Sequence, residues 1–296
     1  MNLKHSYNRW KHILRSLKTH EKRFEQADRN MANILAEKYA SLHAGADYKN
    51  RLRQQEFKVS SQNGEDGLIL FILSQIGAKT RTFVEFGFGD GRQCNAANLI
   101  RHFGWKGLMM DGNPDSVRSA KAHYAALGIK EGDGLNIRKC FVTAENINGR
   151  LREYGMSGEV DLLSIDIDGN DYWLWKAIDA VSPRLLVIEY NASFGSERSI
   201  TVLYDPAFDR YKKHPSGWYH GASLKALEKL GREKGYALVG CNSDGVNAFF
   251  VRADLLQKPL QEITADEAYY PTIKREHICS TEEQFSKIRH LEFTEI

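Results

Sequence analysis

The chain has 296 residues, 42% of them hydrophobic and 27% charged, which suits one large α/β domain with an appendage or at most two small domains. No run approaches about 18 apolar residues and no apolar stretch near the start ends in a small-residue cleavage site, so we expect neither a transmembrane helix nor a secretory signal. The cysteines lie too far apart for a zinc site or a disulfide framework and favour a reducing cytoplasm; they are Cys94, Cys140, Cys241 and Cys279.

The first 60 residues carry most of the positive charge. They contain 13 Lys or Arg and 6 Asp or Glu, a net charge of +7, whereas the remainder contains 28 and 32, a net charge of −4. Apolar residues recur there at heptad spacing from Leu3 to Leu42, which predicts a basic helical extension over residues 1–56. Three roles stay open: packing on the chain's own main domain, formation of a homo-oligomer, or contact with an assembly or the inner face of a membrane.

From residue 57 onward, short apolar runs that end in Gly, Asp or Asn alternate with helical patterns. This alternation predicts a parallel sheet covered by helices on both faces. Near the end, the predicted strands Tyr236–Cys241 and Val246–Val251 are so close in sequence that they require an antiparallel hairpin. We therefore predict an α/β domain over residues 57–256, with a Rossmann-like sheet that finishes in this hairpin, and a helical extension over residues 257–296.

A glycine-rich turn follows the first predicted strand. The segment reads VEFGFGDG, so that Glu85 lies in the strand and Gly87 and Gly89 lie in the turn. Glycine lets the chain turn sharply and lets a ligand approach the backbone, and ligands of open α/β sheets bind at the carboxyl ends of the strands. Arg92 stands where the dinucleotide fingerprint requires its third glycine. The pattern thus favours a nucleoside ligand with a positively charged portion, which Glu85 can face.

The second predicted strand ends in an acidic residue. Asp111 lies about 20 residues after the glycine turn, the distance at which an acidic side chain accepts hydrogen bonds from both ribose hydroxyls. Gly112 and Asn113 follow it. This part of the sequence offers no Lys or Arg to a phosphate, so we predict that Asp111, Gly112 and Asn113 bind a nucleoside rather than a dinucleotide.

With these motifs the chain resembles the FkbM-like family of class I S-adenosylmethionine (SAM)-dependent methyltransferases, over roughly residues 58–255. The resemblance includes the segments SQNGEDG, VEFGFGDG, MMDGNP, SIDIDGNDYW and VIEYNAS. The family's I-D-V-E-G-x-E motif appears as Ile165–Asp171, with Asp168 in place of a glutamate of longer reach. The resemblance implies the class I seven-stranded sheet, SAM as cofactor, and O-methylation of a sugar, a polysaccharide or another small molecule.

The resemblance also assigns cofactor roles to two further polar segments. Gln62 and Asp66, which precede the helix before the first strand, are expected over the methionine end of SAM. Glu145, after the third strand, is expected where the superfamily contacts the adenine. Each segment has a structural alternative, because these residue types also suit helix caps.

Acidic residues follow two adjacent strands and supply candidates for catalysis. An alcohol needs a base or a metal to become a good nucleophile. In one interpretation Asp166 or Asp168 is the general base, aided by Glu189 or His220. In the other, Asp168, Glu189 and Asn191 hold a Mg²⁺ that lowers the pKa of the acceptor hydroxyl, since hard divalent cations prefer oxygen ligands. A third alternative is that these carboxylates only cap helices and bind the amino group of the cofactor.

Two other functions remain as alternatives. The chain could methylate a protein or a nucleic acid, although strand four reads Asp166-Ile167-Asp168-Gly169 and lacks the signature of amino-group methylation, and nucleic acid is not expected because the catalytic body is acidic. The chain could instead be a SAM-binding scaffold whose basic extension organises an assembly. The acidic residues at the strand ends argue against a scaffold, which has no need of them.

Overall fold

The computed structural model describes residues 47–296, so the heptad-patterned part of the basic extension lies outside the described residues. The chain divides after Gln54 into two units. Within the first unit, helix α1 (Tyr48–Arg53) begins after Asp47, whose side chain caps it. The limits predicted for the two extensions and the main domain stay predictions. Among the described helices, none has the length and apolar character needed to cross a bilayer.

The second unit, Gln55–Ile296, is built on a seven-stranded sheet with the order β3-β2-β1-β4-β5-β8-β7. In this spatial order the strands β3, β2, β1, β4 and β5 are each parallel to their neighbours, whereas β8 runs antiparallel to both β5 and β7. The strands are β1 (Thr82–Phe86), β2 (Lys106–Asp111), β3 (Leu135–Lys139), β4 (Gly158–Ile165), β5 (Val181–Glu189), β7 (Tyr236–Cys241) and β8 (Asn247–Arg252). The predicted seven-stranded α/β sheet with its final antiparallel hairpin is confirmed.

Helices connect the strands, as the alternating sequence pattern predicts. They are α2 (Glu65–Ile76), α3 (Ala97–Phe103), α4 (Pro114–Ala126), α5 (Ile147–Glu153), α6 (Asp171–Ala177), α7 (Arg210–Lys213), α8 (Leu224–Glu233), α9 (Ala265–Ala268), α10 (Ile273–Glu276) and α11 (Thr281–Ser286). Residues on both faces of the central strands are buried, including Phe83 and Val84 in β1 and Leu162 and Leu163 in β4. A sheet that is covered on both faces explains why these strands read as continuous apolar runs.

A small two-stranded sheet joins the segment after β5 to the end of the chain. Strand β6 (Ile200–Val202) pairs antiparallel with β9 (Phe293–Glu295), with Ile200 opposite Glu295. The side chains of Phe194, Tyr219 and their apolar neighbours form a buried cluster beside this small sheet. The segment after β5 is therefore held by the C-terminal part of the chain.

The register of the central strands brings four strand ends together. Phe86 of β1 lies opposite Ile165 of β4, and Ile188 of β5 lies opposite Ile165 on the other side. Glu189, the last residue of β5, lies opposite Asn247, the first residue of β8. Strand β1 pairs with β2 on one side and with β4 on the other, so the order of the strands along the chain reverses at β1. Open α/β sheets bind their ligands at the carboxyl ends of the strands where this reversal occurs.

Candidate functional site

A cavity of about 840 Å³ opens at this edge of the sheet, within the 300–1,000 Å³ range of small-molecule sites. It extends from the turns after β1 and β2 to the ends of β4, β5 and β8. The predicted site residues that line it are Gln62, Glu85, Gly87, Gly89, Asp111, Gly112, Asn113, Asp166, Asp168 and Glu189. Asp66, Glu145, Asn191 and His220 are not among its lining residues.

The glycine-rich turn is held by the strand that precedes it. The buried carboxylate of Glu85 accepts hydrogen bonds from the backbone N–H groups of Asn95 at 2.8 Å and Ala96 at 3.1 Å, and burial raises its pKa. Glu85 thus positions the segment between the turn and α3 as well as lining the cavity. Gly87 has a positive φ of 72° and packs against the backbone of Asp166, where a Cβ would lie 1.6 Å from the carbonyl oxygen.

Replacing Gly87 with alanine should destabilise the protein far more than replacing Gly89 with alanine. Both residues have positive φ values, 72° and 59°, so both variants carry left-handed strain of about 1–2 kcal/mol. A Cβ at residue 87 would clash with Asp166. A Cβ at residue 89 would meet no heavy atom of the described residues within 4 Å, its immediate chain neighbours aside. Thermal unfolding of the two variants measures the difference, and equal melting temperatures would contradict the packing described here.

Asp111 joins the glycine turn to the turn after β2. One of its carboxylate oxygens accepts from the Gly89 N–H at 3.2 Å, and the other accepts from the Asn113 N–H at 2.7 Å. Asn113 in turn caps α4 through the Asp115 N–H at 2.8 Å. Burial raises the pKa of Asp111. The carboxylate is oriented by two backbone groups and lines the cavity, as a ribose-binding residue requires.

An exposed aromatic ring lies beside this turn. Phe141, which follows β3, lines the cavity although its side chain is exposed, and its ring packs on Gly112, where a Cβ would lie 2.8 Å from it. The predicted adenine contact, Glu145, instead accepts a hydrogen bond from the Tyr204 hydroxyl at 2.6 Å. The structure therefore places an aromatic surface, not Glu145, along the cavity after β3.

Two neighbouring acids at the start of α2 differ in what they contact. The Asp66 carboxylate accepts from the N–H groups of Val59, Ser60 and Ser61 at 2.8, 2.6 and 2.7 Å, so it braces the loop away from the cavity. Sequence reasoning passed over Glu65, which lines the cavity. Its carboxylate accepts from the side-chain amides of Asn63, Asn242 and Asn247 at 3.3, 3.1 and 3.0 Å and so ties this loop to the final hairpin.

Asp166 and Glu189 form a carboxylate pair at the ends of β4 and β5. One carboxylate oxygen of each residue, together with one of Asp171, lies within 4.8 Å of the others. Two buried carboxylates this close favour a state in which they share one proton, because like charges disfavour ionisation of both. Burial, with the nearby acids adding to it, raises the pKa of both groups well above the usual range. Asp171 lies beside them; burial raises its pKa to about 6, and its oxygens accept from the Ile167 and Gly169 N–H groups at 2.8 and 2.9 Å.

Asp168 lies on the exposed side of this cluster. Its backbone has a φ of 57°, which is rare for a residue other than glycine, and its carboxylate forms an ion pair with Arg210. Arg210 also donates to the Gly217 carbonyl at 2.9 Å. The ion pair therefore connects the turn after β4 to the segment that contains α7.

His220 lies behind Glu189 and is buried. Its Nε2 lies 3.0 Å from Nη2 of Arg275, and its Nδ1 lies 3.6 Å from Oε2 of Glu189. Arginine can only donate, so Nε2 must accept and the ring proton must lie on Nδ1, facing Glu189. Burial, with the charges of Arg210 and Arg275 adding to it, lowers the pKa of His220 well below its usual range and keeps the ring neutral. His220 therefore packs behind Glu189, too far for a hydrogen bond to it, and does not line the cavity.

Asn191 is committed to the protein's own backbone and side chains. Its side-chain nitrogen donates to the carbonyls of Trp218 and His220 at 2.6 and 2.8 Å. Its side-chain oxygen accepts from the Ser193 N–H at 3.0 Å and from Arg275 at 2.9 Å. Of the predicted metal ligands Asp168, Glu189 and Asn191, the structure thus brings the first two together. Within residues 47–296, two groups of side chains have possible metal-ligand atoms within 4.8 Å of one another. One group is Asp168, Glu189 and His220, and the other is Asp166, Asp171 and Glu189.

Comparison with known proteins gives similarity of fold. No protein-family model matches the sequence, and no curated protein matches it. The O-methyltransferase from Bacillus cereus in complex with S-adenosylhomocysteine (SAH), the demethylated product of SAM, is 13% identical with a TM-score of 0.41. The match covers 73% of this chain and 95% of that one. A SAM-dependent methyltransferase from Aquifex aeolicus is 14% identical with a TM-score of 0.39, covering 62% and 88%. A protein from Galdieria sulphuraria is 14% identical with a TM-score of 0.40; the match covers 59% of this chain and 62% of that one, so the chain spans less than two thirds of its length.

Proposed function

We propose that the protein is a SAM-dependent O-methyltransferase of the FkbM-like kind that acts on a hydroxyl of a sugar, a polysaccharide or a related small molecule. One observation carries the proposal: a single cavity has a site suited to a nucleoside at one end and the Asp166–Glu189 pair at the other. The lining residues contributed by the turns after β1, β2 and β3 include no Lys or Arg. That end therefore suits a nucleoside without phosphates.

The residues present fit SAM at the nucleoside end. Asp111 would accept from the ribose hydroxyls, because two backbone N–H groups orient its carboxylate. Phe141 offers a ring face to the adenine, and Gly87 and Gly89 keep the backbone of the turn open to close approach. When bound, SAM supplies a methyl group on a positively charged sulfur, which the acidic lining at Glu85 and Asp111 favours electrostatically.

The Asp166–Glu189 pair would remove the proton of the acceptor hydroxyl. A pair that shares one proton holds one basic carboxylate, and its raised pKa strengthens that carboxylate as a base near neutral pH. His220 lies behind Glu189, with its Nδ1 3.6 Å from Glu189 Oε2. Transfer of the hydroxyl proton to this pair would make the acceptor oxygen a stronger nucleophile.

The acceptor end of the cavity suits a molecule rich in hydroxyls. The side-chain oxygens of Asn170 and Asn247 are buried without a hydrogen-bond partner among residues 47–296, and both residues line the cavity. Both atoms are acceptors, so hydroxyl donors would satisfy them. Phe208 lines the same end and supplies an apolar face for a sugar ring.

The side chains present do not fit a Mg²⁺ site. Arg275 donates a hydrogen bond to Nε2 of His220, so the ring proton lies on Nδ1. Neither ring nitrogen then has a lone pair free to bind a metal. Asp168 is paired with Arg210, and the Asn191 side-chain oxygen accepts two hydrogen bonds. Direct proton removal by the carboxylate pair is therefore the mechanism that we propose.

Incubation with SAM and a panel of sugars and polysaccharides, with and without EDTA, tests the proposal. We expect methylation of at least one hydroxyl acceptor, equal rates in both conditions, and SAH as the second product, detected by mass spectrometry. Loss of activity in EDTA that added Mg²⁺ restores would contradict the direct-base mechanism. Calorimetry that detects no binding of SAH would contradict the cofactor site itself.

A further inference from the structure

Helix α10, in the C-terminal part of the chain, contributes two adjacent cations to the cavity. Lys274 and Arg275 both line it, next to Thr272. The segment is anchored on the turn between β7 and β8, where the Thr272 hydroxyl donates to the Gly245 carbonyl at 2.8 Å. These cations therefore enter the acceptor end of the cavity from outside the strands of the central sheet.

Within residues 47–296, neither cation is bonded to a carboxylate. Arg275 donates to the Asn191 side-chain oxygen and the Ser193 hydroxyl, each at 2.9 Å, and to His220 Nε2 at 3.0 Å, all of which are neutral acceptors. Lys274 is exposed and has no hydrogen bond or ion pair to any residue in the range 47–296. Arg210, the other cation in the lining, differs from both because Asp168 neutralises it.

The nearest acids are not bonded to Arg275. Asp168 is paired with Arg210, and burial raises the pKa of Asp166 and Glu189 well above the usual range, which reduces their negative charge. A partly buried guanidinium whose hydrogen-bond partners are all neutral gains charge-assisted hydrogen bonds when an anion joins it. The residues around Arg275 thus fit an anionic ligand that comes into the cavity.

The order of the strands separates these cations from the nucleoside end. Asp111 ends β2, the carboxylate pair ends β4 and β5, and Asn247, beside the anchored segment, begins β8. Strands are about 4.8 Å apart, so β2 and β8 are separated by roughly 19 Å. Lys274 and Arg275 consequently lie beyond the carboxylate pair, on the side where an acceptor would bind.

We infer that the acceptor carries an oxyanion, a carboxylate or a phosphate, which Lys274 and Arg275 bind while a hydroxyl of the same molecule faces Asp166 and Glu189. This inference rests on the proposed function. Both oxyanions accept charge-assisted hydrogen bonds from ammonium and guanidinium groups, so they share one recognition chemistry. The substrate class is then an acidic or phosphorylated sugar rather than a neutral one.

Binding to the SAH-loaded protein tests the inference without requiring turnover. The probes are glucuronate, glucose 6-phosphate and neutral glucose, measured by calorimetry at low and high salt. We expect at least one anionic probe to bind more tightly than glucose, Lys274→Gln to weaken that binding roughly tenfold, and Lys274→Arg to retain most of it. Lys130→Gln, which removes an exposed lysine outside the cavity lining, should leave all affinities unchanged.

Three results would overturn the inference. The first is equal affinity for glucose and both anions, and the second is an equal loss for all three probes in Lys274→Gln. The third is that Lys274→Gln weakens the binding of SAH but not of 5′-methylthioadenosine, which lacks the amino-acid part, because the cations would then bind the SAM carboxylate. Failure of the proposed function has a different signature: anion binding that depends on Lys274, with no methyl transfer from SAM to any hydroxyl.

Discussion

Glu189→Gln should reduce kcat by about 10²–10⁴-fold while changing the affinity for SAH little, the loss typical of a missing general base. Glutamine keeps the size of the side chain but cannot accept the hydroxyl proton. Asp166→Asn should have an effect of similar size, and the double variant should be little worse than either single variant, because the two carboxylates act as one proton-sharing unit. Steady-state kinetics of the three variants measure this non-additivity.

Glu228→Gln is the matched control for these variants. Glu228 is also a buried glutamate, but its carboxylate accepts from the Ala265 N–H at 2.9 Å and pairs with Arg232 outside the cavity lining. We expect it to lower stability without a selective loss of kcat. Variants of Asp166 and Glu189 with near-normal kcat would remove these carboxylates from the mechanism.

Glu189→Gln, although it reduces kcat, should increase the stability of the folded protein. Burial raises the folded-state pKa of Glu189 above the unfolded value of about 4.3. The contribution of this group to stability is therefore present below that pH and is lost as the pH rises through the raised folded-state pKa. Glu189→Gln removes that loss, so its melting temperature should exceed that of the wild type increasingly as the pH rises. Activity of the wild type should rise with pH over the same range, since the base must be deprotonated.

Strand ends could be predicted from sequence because local chemistry fixes them. Apolar runs that stop at Gly, Asp or Asn give both the strands and their carboxyl ends, and the predicted hairpin strand Tyr236–Cys241 has the same bounds in the structure. The capping box at the start of α11, formed by Ser280 and Glu283, is a signal of the same local kind. These signals need only a few neighbouring residues, so no tertiary information is required.

Partners that are distant in sequence could not be predicted. Strand β6 has three residues, and its partner β9 begins more than ninety residues later, so neither shows a pattern of its own. Arg275 reaches the site from a four-residue helix whose sequence resembles an ordinary solvated turn. The choice between Glu65 and Asp66 depends on which side of α2 faces the final hairpin, which the tertiary structure decides.

Asp111→Ala should weaken SAH binding by roughly 10- to 150-fold, the equivalent of about 1.5–3 kcal/mol for lost charge-assisted hydrogen bonds. The reason is that the Asp111 carboxylate lines the nucleoside end and is oriented by the Gly89 and Asn113 N–H groups. Calorimetry with SAH measures the loss. Asp133→Ala, which removes an exposed acid outside the cavity lining, serves as the control and should bind SAH normally.

A pair of smaller ligands separates loss of the ribose contact from distortion of the turn. Adenosine carries both ribose hydroxyls, whereas 2′,3′-dideoxyadenosine carries neither. If Asp111 binds those hydroxyls, Asp111→Ala should weaken adenosine binding and leave dideoxyadenosine binding unchanged, so that the two ligands bind the variant almost equally. If the substitution instead displaces Gly89 and closes the turn, both ligands should lose affinity together, and Asp111 would be a residue that shapes the site without contacting the ribose.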